Sequence, residues 1–321
     1  MSRSVNRGPI PDREALRQAR ARIADCIHAT PVMTCTSLDQ QSGARLFFKC
    51  ENLQKVGAFK MRGASNAVLC LDDAARRRGV VTHSSGNHAQ ALACAAACTG
   101  VSAHIVMPES APAVKVAAVR GYGADITFCA PTMAAREKTL DQLRETTGAL
   151  FIPPYDNPDV IAGQATCAME LLEQVADLDC MITPVGGGGL LSGAALAVDY
   201  HASHTRVFGA EPSGADDAAR SLHAGKLRGN AEVQTIADGL HADLGKLPFQ
   251  IIKPRVSDIL VVDDGDIIAA MHLLFERMKL VVEPSAATAL AAVYKHREIF
   301  AGLRVGIVLS GGNVDLSELP F

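Results

Sequence analysis

Short apolar runs alternate with longer amphipathic or Ala-rich runs along the whole chain. The strand-like runs are RLFFKC (45–50), VVTHS (80–84), AHIVM (103–107), DITFC (125–129), CMITPV (180–185), TRVFGA (205–210), DILVVDD (258–264) and RVGIVLS (304–310). Each is rich in Val, Ile or Phe and bounded by Gly, Pro, Ser or Asp, which predicts buried strands. Runs with helical spacing fall at 11–29, 87–100, 111–123, 133–148, 163–176, 189–200, 264–278 and 285–296. This alternation predicts an α/β fold of two open, twisted, mostly parallel sheets with helices on both faces. The stretch from about 71 to 151 reads as self-contained. The expected division is a large cofactor-binding domain of residues 1–70 plus 152–321, and a small substrate-closing domain of residues 71–151. ALACAAAC (91–98) has small residues all round, which predicts a helix buried between layers.

In open α/β sheets, ligands bind at the carboxyl ends of strands, where helix N-termini point. Three such turns are unusual. In PVGGGGL (184–190), Gly186, Gly187, Gly188 and Gly189 let the backbone approach a ligand closely, and their N–H groups suit a phosphate. The turn is neither a G-x-G-x-x-G fingerprint nor a P-loop. In THSSGNHAQ (82–90), hydroxyls and amides at a helix start can grip a carboxylate. His83 and His88 lack the spacing of a zinc pair. In LSGGN (309–313), Ser310 ends a strand and can face a ring atom of a flat cofactor.

A fourth stretch, GAFKMRGA (57–64), puts Lys60 directly after Phe59 and between two glycines. Taken alone, Lys60 reads as a solvated charge, an anion contact or a reactive amine. Taken with the three turns, it completes a set: phosphate cradle, carboxylate cradle, ring-facing serine and amine. That set suits pyridoxal 5'-phosphate and an amino-acid substrate.

Composition narrows the picture. With 321 residues, 48% hydrophobic and 20% charged, the chain reads as a globular enzyme. A net charge of −3 without a basic cluster argues against nucleic acid as a partner. The apolar runs are too short to span a bilayer, so no membrane association is expected. The start, MSRSVNRGPIPDREALRQ, has no apolar signal core, so secretion is not expected. The nine cysteines form no C-x-x-C pair and read as reduced core thiols of a cytoplasmic protein.

At this point the residues match a known family. The chain resembles the serine/threonine dehydratase and serine racemase family of pyridoxal-phosphate enzymes, which has the tryptophan-synthase-β-like fold (fold type II). The match runs through ATPVMT (29–34), KCENLQKVGAFKMRGA (49–64), THSSGNHAQ (82–90), AGQ (162–164), PVGGGGLLSG (184–193), EPSGADD (211–217), TIADGL (235–240), ERMKLVVEPSAA (276–287) and VLSGGNVDL (308–316). The resemblance implies that Lys60 carries the cofactor as a Schiff base and serves as the base. It implies that Phe59 packs near the ring, that Asn87 contacts the ring hydroxyl and that Gly186 to Gly189 cradle the phosphate. Ser310 is expected to face the pyridine nitrogen. Ser84, Ser85, Asn87 and His88 are expected around the substrate carboxylate.

The implied reaction is β-elimination, a dehydration with deamination, of L-serine, L-threonine or 3-hydroxyaspartate. Ser85 is the residue that racemases of this kind use as a base on the opposite face, so racemisation is the alternative. Ala89 and the stretch DGLHADLG (238–245) depart from the animal racemases. Arg136 and His241 are candidates for a second substrate carboxylate. The resemblance assigns Glu211, the Ala215 carbonyl and Asp217 to a divalent cation, Mg, Ca or Mn. Tyr122, Lys279 and Asn313 match positions linked to nucleotide activation in animal racemases, but Val56 replaces a polar residue there. A homodimer is expected. The chain stops just after the last motif, so feedback through a C-terminal regulatory domain is not expected.

Overall fold

The computed structural model describes residues 10–111 and 113–321. The readings made of residues 1–9 and of Pro112 lie outside the described residues. The strands are β1 (Val32–Met33), β2 (Arg45–Cys50), β3 (Val80–His83), β4 (Ala103–Pro108), β5 (Asp125–Cys129), β6 (Leu150–Phe151), β7 (Cys180–Pro184), β8 (Arg206–Pro212), β9 (Asp258–Val262) and β10 (Arg304–Leu309). They form a six-stranded sheet, β1-β2-β10-β7-β8-β9, and a four-stranded sheet, β5-β4-β3-β6. Every pairing is parallel except β1 with β2. The architecture is the expected one of two mostly parallel sheets.

All eight expected strands are present. β1 and β6 are additional, and at two residues each they are too short to show a period in the sequence. The helices Thr36–Ser42, Asp73–Arg78, Asp217–Ala224 and Lys246–Ile252 are also additional. The helix expected from 163 begins at Pro158, where Asn157 accepts from the amides of Asp159 and Val160 and proline suits the first turn.

Both faces of the six-stranded sheet are covered. Helices Asp264–Met278 and Pro284–Lys295 pack on one face with Phe48, Ile182 and Ile307. Helices Arg13–Ile23, Pro158–Gln174 and Gly189–His201 pack on the other with Met181, Val207 and Ile259. In the four-stranded sheet, helix Asn87–Thr99 lies against Val80, Ile105 and Met107 and is buried from His88 to Ala96, as its small residues predict.

The helix that begins at Lys60 is held by a buried charge network. Arg62 is fully buried and donates to Glu51 at 2.7 and 2.8 Å and to Glu170 at 2.8 Å. Lys49, also fully buried, donates to Glu170 at 2.8 Å. Two cations thus meet two carboxylates, and removing one member would leave a buried charge unpaired, at a cost of about 3–5 kcal/mol. The same helix touches Pro158–Gln174 through backbone. A Cβ on Gly163 would lie 2.6 Å from the Arg62 carbonyl oxygen.

The cysteine reading needs one correction. All nine cysteines are free, but Cys70 and Cys98 are exposed and are not core thiols. Both sit at helix C-terminal ends, where the apolar face gives way to solvent. No helix of the described residues is long and apolar enough to cross a membrane.

Candidate active site

The Ser310 turn and the Lys60 turn are stitched together. The Phe59 amide donates to the Ser310 carbonyl at 3.0 Å, and Ala58 bridges to Gly311. Lys60 therefore starts its helix beside the carboxyl end of β10. Its neighbours before it are tightly placed. Val56 holds a φ of 58°, a conformation that β-branched residues rarely adopt. Gly57 follows at φ 67°, with the Asn313 side chain where a Cβ would stand. The Val56 carbonyl accepts from Asn313 Nδ2 at 2.8 Å.

Lys60 is partly accessible along its length, but its amine is enclosed. Burial pushes its pKa down to about 8, and the Glu283 carboxylate opposes that shift. Nζ donates to the Pro154 carbonyl at 2.8 Å and lies 5.0 Å from the Phe59 ring centroid. Phe59 in turn packs against Cys167, Leu190 and Val308. The lysine reads as an enclosed ammonium whose proton is loosened by burial, not as a solvated charge.

The glycine turn follows β7. Val185 is still in sheet register, donating to Ala210 at 2.9 Å. Among the described residues, no acceptor meets the N–H groups of Gly186, Gly187, Gly188 or Gly189. All four residues are buried, and helix Gly189–His201 begins at the last of them. Buried N–H groups are almost always paired, so four free ones at a helix start mark the place of an anion. Side chains are excluded here by close neighbours. A Cβ on Gly186 would lie 2.9 Å from Leu240 Cα, and one on Gly187 would run into the Tyr155 ring.

The turn after β3 presents a second set of donors. The N–H groups of Asn87, His88 and Ala89 open helix Asn87–Thr99 with no acceptor among the described residues. Ser84 Oγ accepts from the Gly86 amide at 3.3 Å. Ser85 is half-buried, and its hydroxyl makes no hydrogen bond with the described residues. The Asn87 side chain is committed: Nδ2 donates to both Glu283 oxygens at 2.9 and 3.0 Å, and Oδ1 accepts from Asn313 Nδ2 at 2.8 Å. His88 is buried and uncharged, its pKa pushed down to about 3 by burial and then by the Lys60 charge.

Glu283 was not singled out in the sequence. It is 4% exposed, and burial raises its pKa to about 7, partly offset by the Asn87 amide. Tyr155 was also missed. Its ring covers Gly187, and its Cβ and backbone lie against Gly189. Glu283 lies inside the quoted ERMKLVVEPSAA motif, but nothing local says that its carboxylate turns inward.

Arg136 stands apart from this cluster. It lies on helix Met133–Thr147, and its charge bears on His83 at the end of β3 and on Cys129 at the end of β5. Its Nε is buried without a partner. His241 is exposed and pairs with the Thr235 carbonyl at 3.1 Å. The candidate cation residues lie behind the glycine turn. Glu211 accepts from the Ala218 and Ala219 amides at 3.1 and 2.8 Å. Asp217 accepts from Asn230 Nδ2 and from the Leu244 amide, both at 2.7 Å. Burial raises Glu211 to about 9, and the Asp217 charge adds to the rise. No group of three or more His, Cys, Asp or Glu side chains that could hold a metal occurs among the described residues.

Comparison with known proteins decides the family. A family model described as pyridoxal-phosphate dependent enzyme matches residues 23–311. The chain belongs to this family. Among pyridoxal-phosphate dependent enzymes, it is 48% identical to a beta-hydroxyaspartate dehydratase of Paracoccus denitrificans over 97% of this chain and 99% of that one. It is 48% identical to an L-threo-3-hydroxyaspartate ammonia-lyase of Saccharomyces cerevisiae, covering 96% of this chain and 95% of that one. The solved structure of maize serine racemase superposes with a TM-score of 0.95 at 47% identity, covering 97% of this chain and 96% of the other. The site fits the cofactor of the family. Free buried amides suit its phosphate, Phe59 an aromatic ring, and Lys60 its aldehyde.

Proposed function

We propose that this protein is a pyridoxal-phosphate-dependent ammonia-lyase that dehydrates and deaminates 3-hydroxyaspartate. The observation that carries the reading is the pairing of the depressed Lys60 amine with the four unpaired amides of Gly186 to Gly189. When bound, pyridoxal phosphate supplies a sink for the electron pair left on Cα. The rest is done by the chain. The glycine amides and the dipole of helix Gly189–His201 hold the phosphate. Ser310 would face the ring nitrogen, and Asn87, held by Glu283 and Asn313, would lie toward the ring hydroxyl.

The substrate α-carboxylate fits the free amides of Asn87 and His88, with the Ser84 and Ser85 hydroxyls beside them. Lys60, poised near neutrality, takes the α-proton. The Cβ–O bond then breaks, and the hydroxyl leaves with a proton as water. The released enamine tautomerises and hydrolyses to an oxo acid and ammonia. Arg136 Nε, buried and unpartnered, supports recognition of the second carboxylate that distinguishes 3-hydroxyaspartate from serine. Two relatives named for hydroxyaspartate support the same choice.

A second reading is amino-acid racemisation. The unpartnered Ser85 hydroxyl and the likeness to maize serine racemase favour it as an additional activity. The deciding experiment follows ammonia and enantiomer composition together, with L- and D-serine, L-threonine and the 3-hydroxyaspartate isomers as substrates. Ammonia released fastest from a 3-hydroxyaspartate isomer is the expected result. Inversion of serine without ammonia release would overturn the reading. Ser85→Ala is expected to abolish inversion while leaving elimination from the L-substrate.

Other features of the assembly follow. The four-stranded unit, residues 71–151, is proposed to close on the substrate against a large domain of residues 1–70 plus 152–321. Glu211, Asp217 and the Ala215 carbonyl offer hard oxygen donors that suit Mg, Ca or Mn, and a dication would relieve their mutual repulsion. Phe275, Val281 and Phe321 form an exposed apolar patch that supports a homodimer. Nine unpaired cysteines support a reducing compartment such as the cytoplasm.

A further inference from the structure

The segment between β6 and helix Pro158–Gln174 carries chemistry that no motif announces. It reads Ile152-Pro153-Pro154-Tyr155. One end is pinned to the four-stranded sheet, where the Ile152 amide donates to the Val81 carbonyl at 3.0 Å. The other end is pinned by Tyr155 against Gly187 and Gly189. Between them, two consecutive prolines fix φ and remove two amides. The Pro154 carbonyl is therefore held in one place, and Lys60 Nζ donates to it at 2.8 Å.

A further contact on this segment comes from His88. Its Nε2 lies 3.0 Å from the Ile152 carbonyl oxygen. A carbonyl only accepts, so Nε2 carries the proton. Nδ1 is buried and has no partner. A neutral, 2% exposed imidazole with one nitrogen committed to a carbonyl is no anion-binding cation. It is a fixed donor aimed at the segment that holds the amine.

We propose that His88 is a positioning residue for Lys60, acting through Ile152 and the two prolines to place the Pro154 carbonyl. With one N–H committed to that carbonyl, the freed amine keeps its lone pair turned away from the proline segment. Its face of attack is then set before the substrate arrives. This inference rests on the reading of Lys60 as the base. The titratable groups that bear on Lys60 are Glu283, at the start of helix Pro284–Lys295, and His88 itself. His83, at the end of β3, bears on His88. Because His88 is uncharged, replacing it changes no charge beside the amine.

The test compares His88→Gln, which keeps an amide donor near the Nε2 position, with His88→Asn, whose amide is too short to reach Ile152. The Lys60 pKa is measured in the cofactor-free full-length chain by the pH dependence of acetylation, followed by mass spectrometry. An ammonium that loses an acceptor becomes easier to deprotonate. His88→Asn is thus expected to lower the Lys60 pKa by about one unit, with His88→Gln close to the wild type. In the holoenzyme acting on L-threo-3-hydroxyaspartate, His88→Asn is expected to lower kcat roughly 10- to 100-fold with KM little changed. The ascending limb of its kcat profile should move to lower pH. An unchanged Lys60 pKa in His88→Asn overturns the proposal, as does equal impairment of the two variants. Should His88→Asn fail to fold, His88→Phe fills the space without a donor and takes its place. A wild-type protein that releases no ammonia from any substrate would sink the proposed function, while the Lys60 pKa comparison would still judge the positioning role.

Discussion

Asn87 and Glu283 meet between the two sheets, the amide of one donating to both carboxylate oxygens of the other at 2.9 and 3.0 Å. Asn87 opens the helix that follows β3, and Glu283 caps the helix Pro284–Lys295 of the other unit. The bond therefore ties the turn after β3 to the start of helix Pro284–Lys295. It also fixes the Asn87 amide, because Oδ1 is held by Asn313.

Burial of Glu283 makes stability depend on pH, with the Asn87 amide opposing the shift. Glu283 holds its proton more tightly when folded, at about 7 against an ordinary 4.5. Its contribution is full below pH 4.5 and is lost as pH rises through 7, a swing on the order of 3 kcal/mol. Glu283→Gln cannot ionise, so its melting temperature should fall less than that of the wild type between pH 5 and pH 8. Melting curves that stay parallel over that range would show that Glu283 does not titrate there.

Arg136 is predicted to select the substrate. Arg136→Met should lower kcat/KM for L-threo-3-hydroxyaspartate by about 10- to 100-fold, the worth of a charge-assisted contact. Activity on L-serine, which has no second carboxylate, should change much less. Equal losses on both substrates would assign Arg136 to the scaffold instead.

Gly187→Ala should damage cofactor binding more than the fold. The new methyl would run into the Tyr155 ring, costing about 1–3 kcal/mol of packing. Titration with pyridoxal phosphate should show a weaker Kd, with a melting temperature lower by several degrees. Wild-type affinity in this variant would mean that the phosphate sits elsewhere.

Removal of a divalent cation should unmask the buried Glu211 and Asp217. EDTA is expected to lower the melting temperature, and Mg, Ca or Mn to restore it. A cation at about 100 times its Kd stabilises by about 2.7 kcal/mol. Indifference to both treatments would leave the two carboxylates to the backbone amides that they already accept from.

The features legible in the sequence were those whose chemistry is local. Four consecutive glycines after an apolar strand, and a lysine set between glycines after another, declare a phosphate and an amine within a few residues. The parallel strands of the six-stranded sheet, with β3 and β4, were legible because they are largely buried on both faces and read as near-continuous apolar runs, whereas β5 is half-exposed. Glu283, Pro154 and Tyr155 were not legible, because each acts on a residue far away in the chain. Glu283 reaches Asn87 across 196 positions, and the Pro154 carbonyl accepts from Lys60 across 94. A carbonyl oxygen carries no residue type at all. His88 was read in the sequence as a carboxylate contact, but the direction of its ring depends on Ile152, 64 positions on.

The most direct test of the account is where the cofactor attaches. The protein is saturated with pyridoxal phosphate, reduced with borohydride and mapped by peptide mass spectrometry. The account predicts a single pyridoxyl adduct, on the peptide containing Lys60, and none in Lys60→Ala. An adduct on another lysine, or its persistence in Lys60→Ala, would contradict it.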